Sequence, residues 1–169
     1  MKRQSIICCF GILLFFFAVS PAQSTENLPG VKERCPVCGM FVAKYPMWFA
    51  MLIDENDHIF YFDGVKDMMA YYFKPEAFGA AKGQKISKVM VKDYYSQKMI
   101  DGKAAWFVTG SDVLGPMGHE LIPFNSETAA QNFLKDHNGT EILVFTDITA
   151  ERISSMRQGH MMKMKMKKH

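Results

Sequence analysis

Hydrophobic and polar positions along this chain alternate in short blocks. Met47 to Ile53 is an apolar run with aromatic and branched residues, which predicts a strand. Asp54-Glu55-Asn56-Asp57 predicts a turn, and His58 to Phe62 a second strand. Val65, Met68, Met69, Tyr72 and Phe73 then recur at helical spacing behind Asp63, a candidate N-cap, and Pro75 closes the helix. Ile86, Val89 and Val91 give Lys85 to Tyr94 a strand-like pattern. The second half repeats the order. Ala104 to Thr109 predicts a strand, Gly110 to Gly118 a glycine-rich connection, and His119 to Phe124 another strand. Ser126 can cap a helix through Ala129, Ala130, Phe133 and Leu134 that stops at Asn138-Gly139, and Ile142 to Phe145 is a last strand. Phe62-Asp63 before the first helix matches Phe124-Asn125 before the second. The pattern predicts an α+β fold of two β-β-α-β lobes, about 35–96 and 97–148, with internal pseudo-repetition. After Ile148 the core patterning stops, and 149–169 is expected to be a disordered tail rich in Met, Lys and His.

The two ends differ from this middle. Lys2 and Arg3, the apolar stretch Ile6 to Val19 and the small residues of Ala22-Gln23-Ser24 read as a cleavable secretory signal peptide over 1–24. The apolar stretch is short for a bilayer that takes roughly 20 residues. Cys8 and Cys9 come early and follow Ile7, so no lipid-anchoring cysteine is expected and the product is placed in the periplasm or beyond. A polar leader, 25–34, opens the mature chain. Only Cys35 and Cys38 then remain, too few for a disulfide scaffold, so an apolar core has to carry the fold.

The chain holds 20 Lys or Arg and 17 Asp or Glu, a net +3. The excess sits at the end, because Arg152 to His169 is basic and contains no acid. The folded part is mildly acidic and lacks the basic face of a nucleic-acid binder. The tail alone could touch an anionic membrane or an acidic partner.

The sharpest chemistry is Cys35-Pro36-Val37-Cys38-Gly39-Met40. Two thiols two residues apart can chelate one ion, and Met40 adds a thioether. Such soft sulfur ligands select Cu(I) over hard cations. Other uses of the pair remain open: a redox disulfide, half of a zinc site completed by His58, His119 or His137, or a structural disulfide. Gly115-Pro116-Met117-Gly118-His119-Glu120 is the second constellation. Met117 lies off any apolar period, and His119 follows it as a ligand, a supporting residue or a surface histidine. Met47, Met51, Met68 and Met69 read as core filler. Met164 and Met166, flanked by His160 and His169, suggest a weak copper-collecting arm.

Four stretches together resemble the NosL family: Cys35-Pro-Val-Cys-Gly-Met40, Tyr61-Phe-Asp-Gly64, Ala105-Trp-Phe-Val108, and Gly115-Pro-Met-Gly118 with Glu120 and Pro123-Phe124. The resemblance implies a copper chaperone for nitrous oxide reductase maturation, with two β-β-α-β lobes similar to the organomercurial lyase fold. It implies Cys38, Met40 and Met117 as Cu(I) ligands between the lobes, with Cys35 and His119 as further candidates. The implied partner is a copper-receiving apo-enzyme and its assembly machinery. Many family members are lipoproteins, which this signal does not match, and the Met/His tail lies outside the family pattern. The expected class is a non-enzymatic metallochaperone. The rival is a thiol-disulfide oxidoreductase or a carbon–metal lyase using the cysteines, with Asp63 the one acid placed to act as its base.

Overall fold

The computed structural model describes residues 27–166, with side chains through Gln158. The expected signal peptide, 1–24, lies outside the described residues, as do the side chains of the methionine-rich end. No helix among the described residues is long and apolar enough to cross a membrane.

Each half forms a three-strand unit of the same design. In the first, β1 (Ala50–Asp54) lies between β2 (Ile59–Phe62) and β3 (Ile86–Lys92), antiparallel to both. β4 (Met99–Asp101) extends this sheet on the β3 side, past the expected lobe boundary at 96. In the second half, β5 (Trp106–Thr109) lies between β6 (Ile122–Phe124) and β7 (Glu141–Val144), again antiparallel to both. Helix α1 (Val65–Phe73) sits between β2 and β3 in sequence, and α2 (Glu127–Asp136) between β6 and β7. Two β-β-α-β lobes are therefore present, and the α+β expectation holds.

Several elements start or end elsewhere than expected. The first strand begins at Ala50 because residues 46–48 turn, and Met47 is exposed there instead of filling the core. Met51, Met68 and Met69 are buried as expected. Asp54 ends β1 and makes the turn, its Oδ1 accepting from the N–H groups of Asn56 and His58. Ser126 caps α2 through Oγ, which accepts from the Ala129 N–H. Asp63 does not cap α1: the N-cap position is Gly64, with no side-chain hydrogen bond from it.

The tail needs the largest correction. The chain continues as α3 (Ala150–Met166) rather than turning disordered at 149. Ile153 is buried, Met156 packs against the core, and Arg157 reaches Asp67 on α1. One aliphatic and one methionine side chain at i and i+3 are enough to dock this helix, although they are too few to show as a periodic pattern.

The second sheet is covered on both sides. Along β5 the side chains alternate: Val108 joins Ile122, Phe124, Ala130 and Phe133 beneath α2, whereas Phe107 turns the other way. Phe107 pairs with Leu143 in register and, with Leu121, enters the core of the first lobe. The lobes thus share one apolar interior. Polar ties add to it, since Asp93 accepts from the Asn125 N–H at 2.7 Å and the Tyr94 N–H donates to the Pro123 carbonyl at 2.9 Å. Helix α1 is buried on nearly every side, between its sheet, α3 and the second lobe, which explains how Lys66 and Asp67 come to be buried at all.

Candidate metal centre

The cysteine motif is a tight knuckle. Arg34 and Phe41 pair as an antiparallel bridge, the Cys35 N–H donates to the Met40 carbonyl at 2.9 Å, and the Gly39 N–H returns to the Cys35 carbonyl at 2.8 Å. Gly39 closes the turn at φ +78°, a left-handed conformation that glycine adopts without a Cβ clash. Arg34 fixes the outside, donating to the Gly39 carbonyl at 2.8 Å and lying over the Phe41 ring. Cys35 points inward and is 1% exposed, while Cys38 is half-buried, and both are free thiols. Neither disulfide reading of this pair is drawn in this structure.

The knuckle faces the start of α1. The Cys38 thiol donates to Asp63 Oδ1 at 3.1 Å, and Cys35 Sγ lies 4.0 Å from Asp67 Oδ2. One donor atom from each of Cys35, Cys38, Asp63 and Asp67 falls within 4.8 Å of all the others. Asp67 lies in the first turn of α1 and Asp63 just before its N-cap, and both offer a carboxylate oxygen to the knuckle. The histidines proposed to complete a cysteine site lie elsewhere. His58 pairs with Asp54 and His137 with Asp112, each at 3.1 Å. His119 is exposed and stands outside the four-donor group.

Proximity sets the protonation of this cluster. The Cys35 sulfur, and then burial, push the Cys38 thiol well above the ordinary thiol range, against the Met40 N–H that stabilises the thiolate. Burial, helped by the charge of Asp63, also pushes the Asp67 carboxyl up, while the Cys38 thiol, Arg157 and Lys66 pull it down. A cation entering here would displace protons, so binding is coupled to pH.

The second lobe reaches the site through the Gly115–Gly118 loop, a reverse turn closed by paired Gly115–Gly118 backbone bonds of 2.8 and 3.1 Å. Lys66, next to Asp67 on α1, donates from Nζ to the carbonyls of Met117 and His119 at 2.7 Å each. Glu120 answers from the loop side: its Oε1 accepts from the Lys66 N–H at 2.5 Å and the Leu121 N–H at 2.9 Å. Glu120 thereby does for α1 what an N-cap would, and a Cβ on Gly64 would run into its Oε2. The loop carrying the half-buried Met117 is thus clamped to the helix start that carries Asp63 and Asp67. Met40 is half-buried at the end of the knuckle.

Burial pushes the Glu120 carboxyl up to about 7, with Lys66 the chief opposing influence. An acid raised in the folded state binds more protons there than in the unfolded chain. Its contribution to stability is therefore fully present below the unfolded value near 4.5 and is lost as pH rises to about 7. Comparison of Glu120→Gln with the parent by denaturant unfolding should show the parent losing about 3 kcal/mol relative to the variant across that window. A difference that stays constant with pH would place the Glu120 carboxyl in a different state.

A family model for NosL matches residues 29–153. The chain belongs to the NosL family. Among solved structures, the crystal structure of the copper chaperone NosL from Shewanella denitrificans is similar, with 22% identity and a TM-score of 0.62 over 73% of this chain and 95% of that one. The solution structure of apo-NosL from Achromobacter cycloclastes is 27% identical, with a TM-score of 0.45 over 62% of this chain and 87% of that one. No curated protein sequence matches the chain. The Shewanella NosL likeness bears on the fold, and it agrees with the two-lobed α+β architecture built above. For this NosL family member the sequence pattern singles out the knuckle and the Gly-Pro-Met-Gly loop. It does not single out Asp67, nor the clamp of Lys66 and Glu120. The Asp63–Asp67 spacing is the available signal for the first, whereas the clamp joins residues 54 positions apart in sequence.

Proposed function

We propose that this NosL family member is a copper-binding chaperone, a carrier rather than an enzyme, that holds Cu(I) on sulfur. The observation that carries the reading is the pair of free thiols on one knuckle that faces the start of α1, to which the loop bearing Met117 is clamped. Two thiolates supply tight, soft coordination, and a neutral thioether from Met40 or Met117 completes the shell while staying exchangeable. Cys38 is only half-buried, which suits hand-over to a recipient. Export through the signal peptide at 1–24 and delivery to a copper enzyme such as nitrous oxide reductase belong to the same proposal.

The test is a chelator competition with Cu(I) on the reduced protein, run beside Met117→Leu. One tight equivalent is expected for the parent. The variant keeps volume and apolarity, at a stability cost below about 1.5 kcal/mol, and should bind roughly tenfold more weakly, a difference of about 1.4 kcal/mol. Unchanged affinity in a normally melting variant would remove Met117 from the copper shell. The absence of any tight equivalent in the parent would remove the chaperone reading. Intact mass of the exported species checks the signal: retention of residues 1–24 would contradict cleavage.

A further inference from the structure

We propose that the hollow between α1, α3 and the turn Pro75–Phe78 is a binding site for a short aliphatic carboxylate, an anionic head on an apolar body of about eight carbons. This does not rest on the copper reading. The two helices run past each other in opposite directions. Arg157 on α3 pairs with Asp67 in the first turn of α1, whereas Lys74, just past the end of α1, lies within electrostatic reach of Glu151 in the first turn of α3. Ala77 and Phe78 of the turn supply the third wall, and the three elements leave a cavity of about 230 Å3. The space exists because α3 docks through Ile153 and Met156, too few large side chains to fill it.

The lining is of two kinds. Ala70 and Ile153 are buried and join the half-buried rings of Phe73 and Phe78 in an apolar part. Lys74, Ser154 and Arg157 supply all the polar side chains of the lining, and no acid is among them. Glu151 is exposed and stands outside it. The Arg157 guanidinium lies 5.4 Å from the centre of the Phe78 ring, which sets it against the wall of the hollow. Its Nε reaches Asp67 at 3.3 Å, but a guanidinium carries five N–H donors, so that pair alone does not exhaust it. A charge-assisted bond to a second carboxylate is the use such donors are suited to.

Charge and size choose the occupant. A purely apolar molecule would leave both cations unanswered, and a small inorganic anion would leave the apolar part in contact with water. An apolar body carrying one carboxylate answers both. An apolar cavity of about 150 Å3 takes a benzene ring, so by the same ratio this one takes roughly nine heavy atoms. From Ala150 to Arg157 the helix rises about 10 Å, a distance that an extended chain of about eight carbons spans.

Octanoate is the probe. Titrated into the reduced protein and followed by amide correlation NMR, it should shift the signals of Ala70, Phe73, Ala77, Ile153 and Ser154 and saturate with a Kd on the order of 1 mM or tighter. Octanol, with the same body and no charge, should bind at least about fivefold more weakly. Acetate, the head alone, should not saturate. Ala77→Trp should fill the hollow and weaken octanoate at least about tenfold. Should that variant lose its dispersed spectrum, Ser154→Phe blocks the hollow from the exposed side of α3 and should have the same effect. Equal affinity for octanol and octanoate, saturation at residues elsewhere, or unchanged octanoate binding in a folded blocking variant would overturn the proposal. So would shifts at these residues with anionic phospholipid vesicles and none with octanoate, which would make the hollow a membrane contact.

Discussion

Replacing Cys35 and Cys38 together with serine is expected to remove tight copper binding and leave the fold standing. Serine nearly matches cysteine in shape, but its hydroxyl is a hard donor that does not ionise near neutrality. The thioethers that remain, Met40 and Met117, are neutral sulfurs on a surface knuckle and a clamped loop. The expected loss is at least about a thousandfold in Cu(I) affinity, on the order of 4 kcal/mol. Stability should change far less, because the hydroxyl that replaces the Cys35 thiol can donate to Asp67, which already faces that sulfur. Chelator competition and a melting curve on the same sample check both halves. Tight binding that survives the double substitution would move the copper to methionine, with the 159–169 segment the first place to look.

The second large effect is on stability. Phe107 is fully buried, pairs with Leu143 across the second sheet, and enters the core of the first lobe. Phe107→Ala should cost about 3–5 kcal/mol from lost burial and the cavity left behind. For a chain of this size that corresponds to a fall in Tm of about 6–20 °C. The two lobes should still melt in one transition, because Phe107, Leu121 and Leu143 belong to the same interior as Met68 and Phe62. Two separated transitions in the variant would mean that the lobes are stabilised independently.

Most of the fold was legible because the lobes are built from short, self-contained patterns. The apolar run of Ala104 to Thr109, the Ser126 cap and the Asn138-Gly139 stop need only neighbouring residues to be read, and the repetition of β-β-α-β makes each half a check on the other. What escapes the sequence depends on distant partners. α3 docks through Ile153, Met156 and Arg157, and the value of Arg157 lies in Asp67, which is 90 positions earlier. Lys66 and Asp67 look like an ordinary solvated helix start until β2, α3 and the Gly115–Gly118 loop close around them. Asp63 reads from its neighbours as a cap, or as a base for chemistry. Its position beside Cys38 follows from how the knuckle folds back on α1, which no spacing encodes. The candidate sulfur ligands are legible for the opposite reason: two cysteines two residues apart, and Met117 set between glycines off any apolar period, stand out from their immediate neighbours.

The measurement that bears most directly on the central claim is X-ray absorption at the copper edge of the reduced protein loaded with one equivalent of Cu(I). The edge should stay cuprous and the first shell should be made of sulfur, with Met117→Leu lowering the sulfur count. A first shell dominated by oxygen or nitrogen, from Asp63, Asp67 or His119, would contradict it.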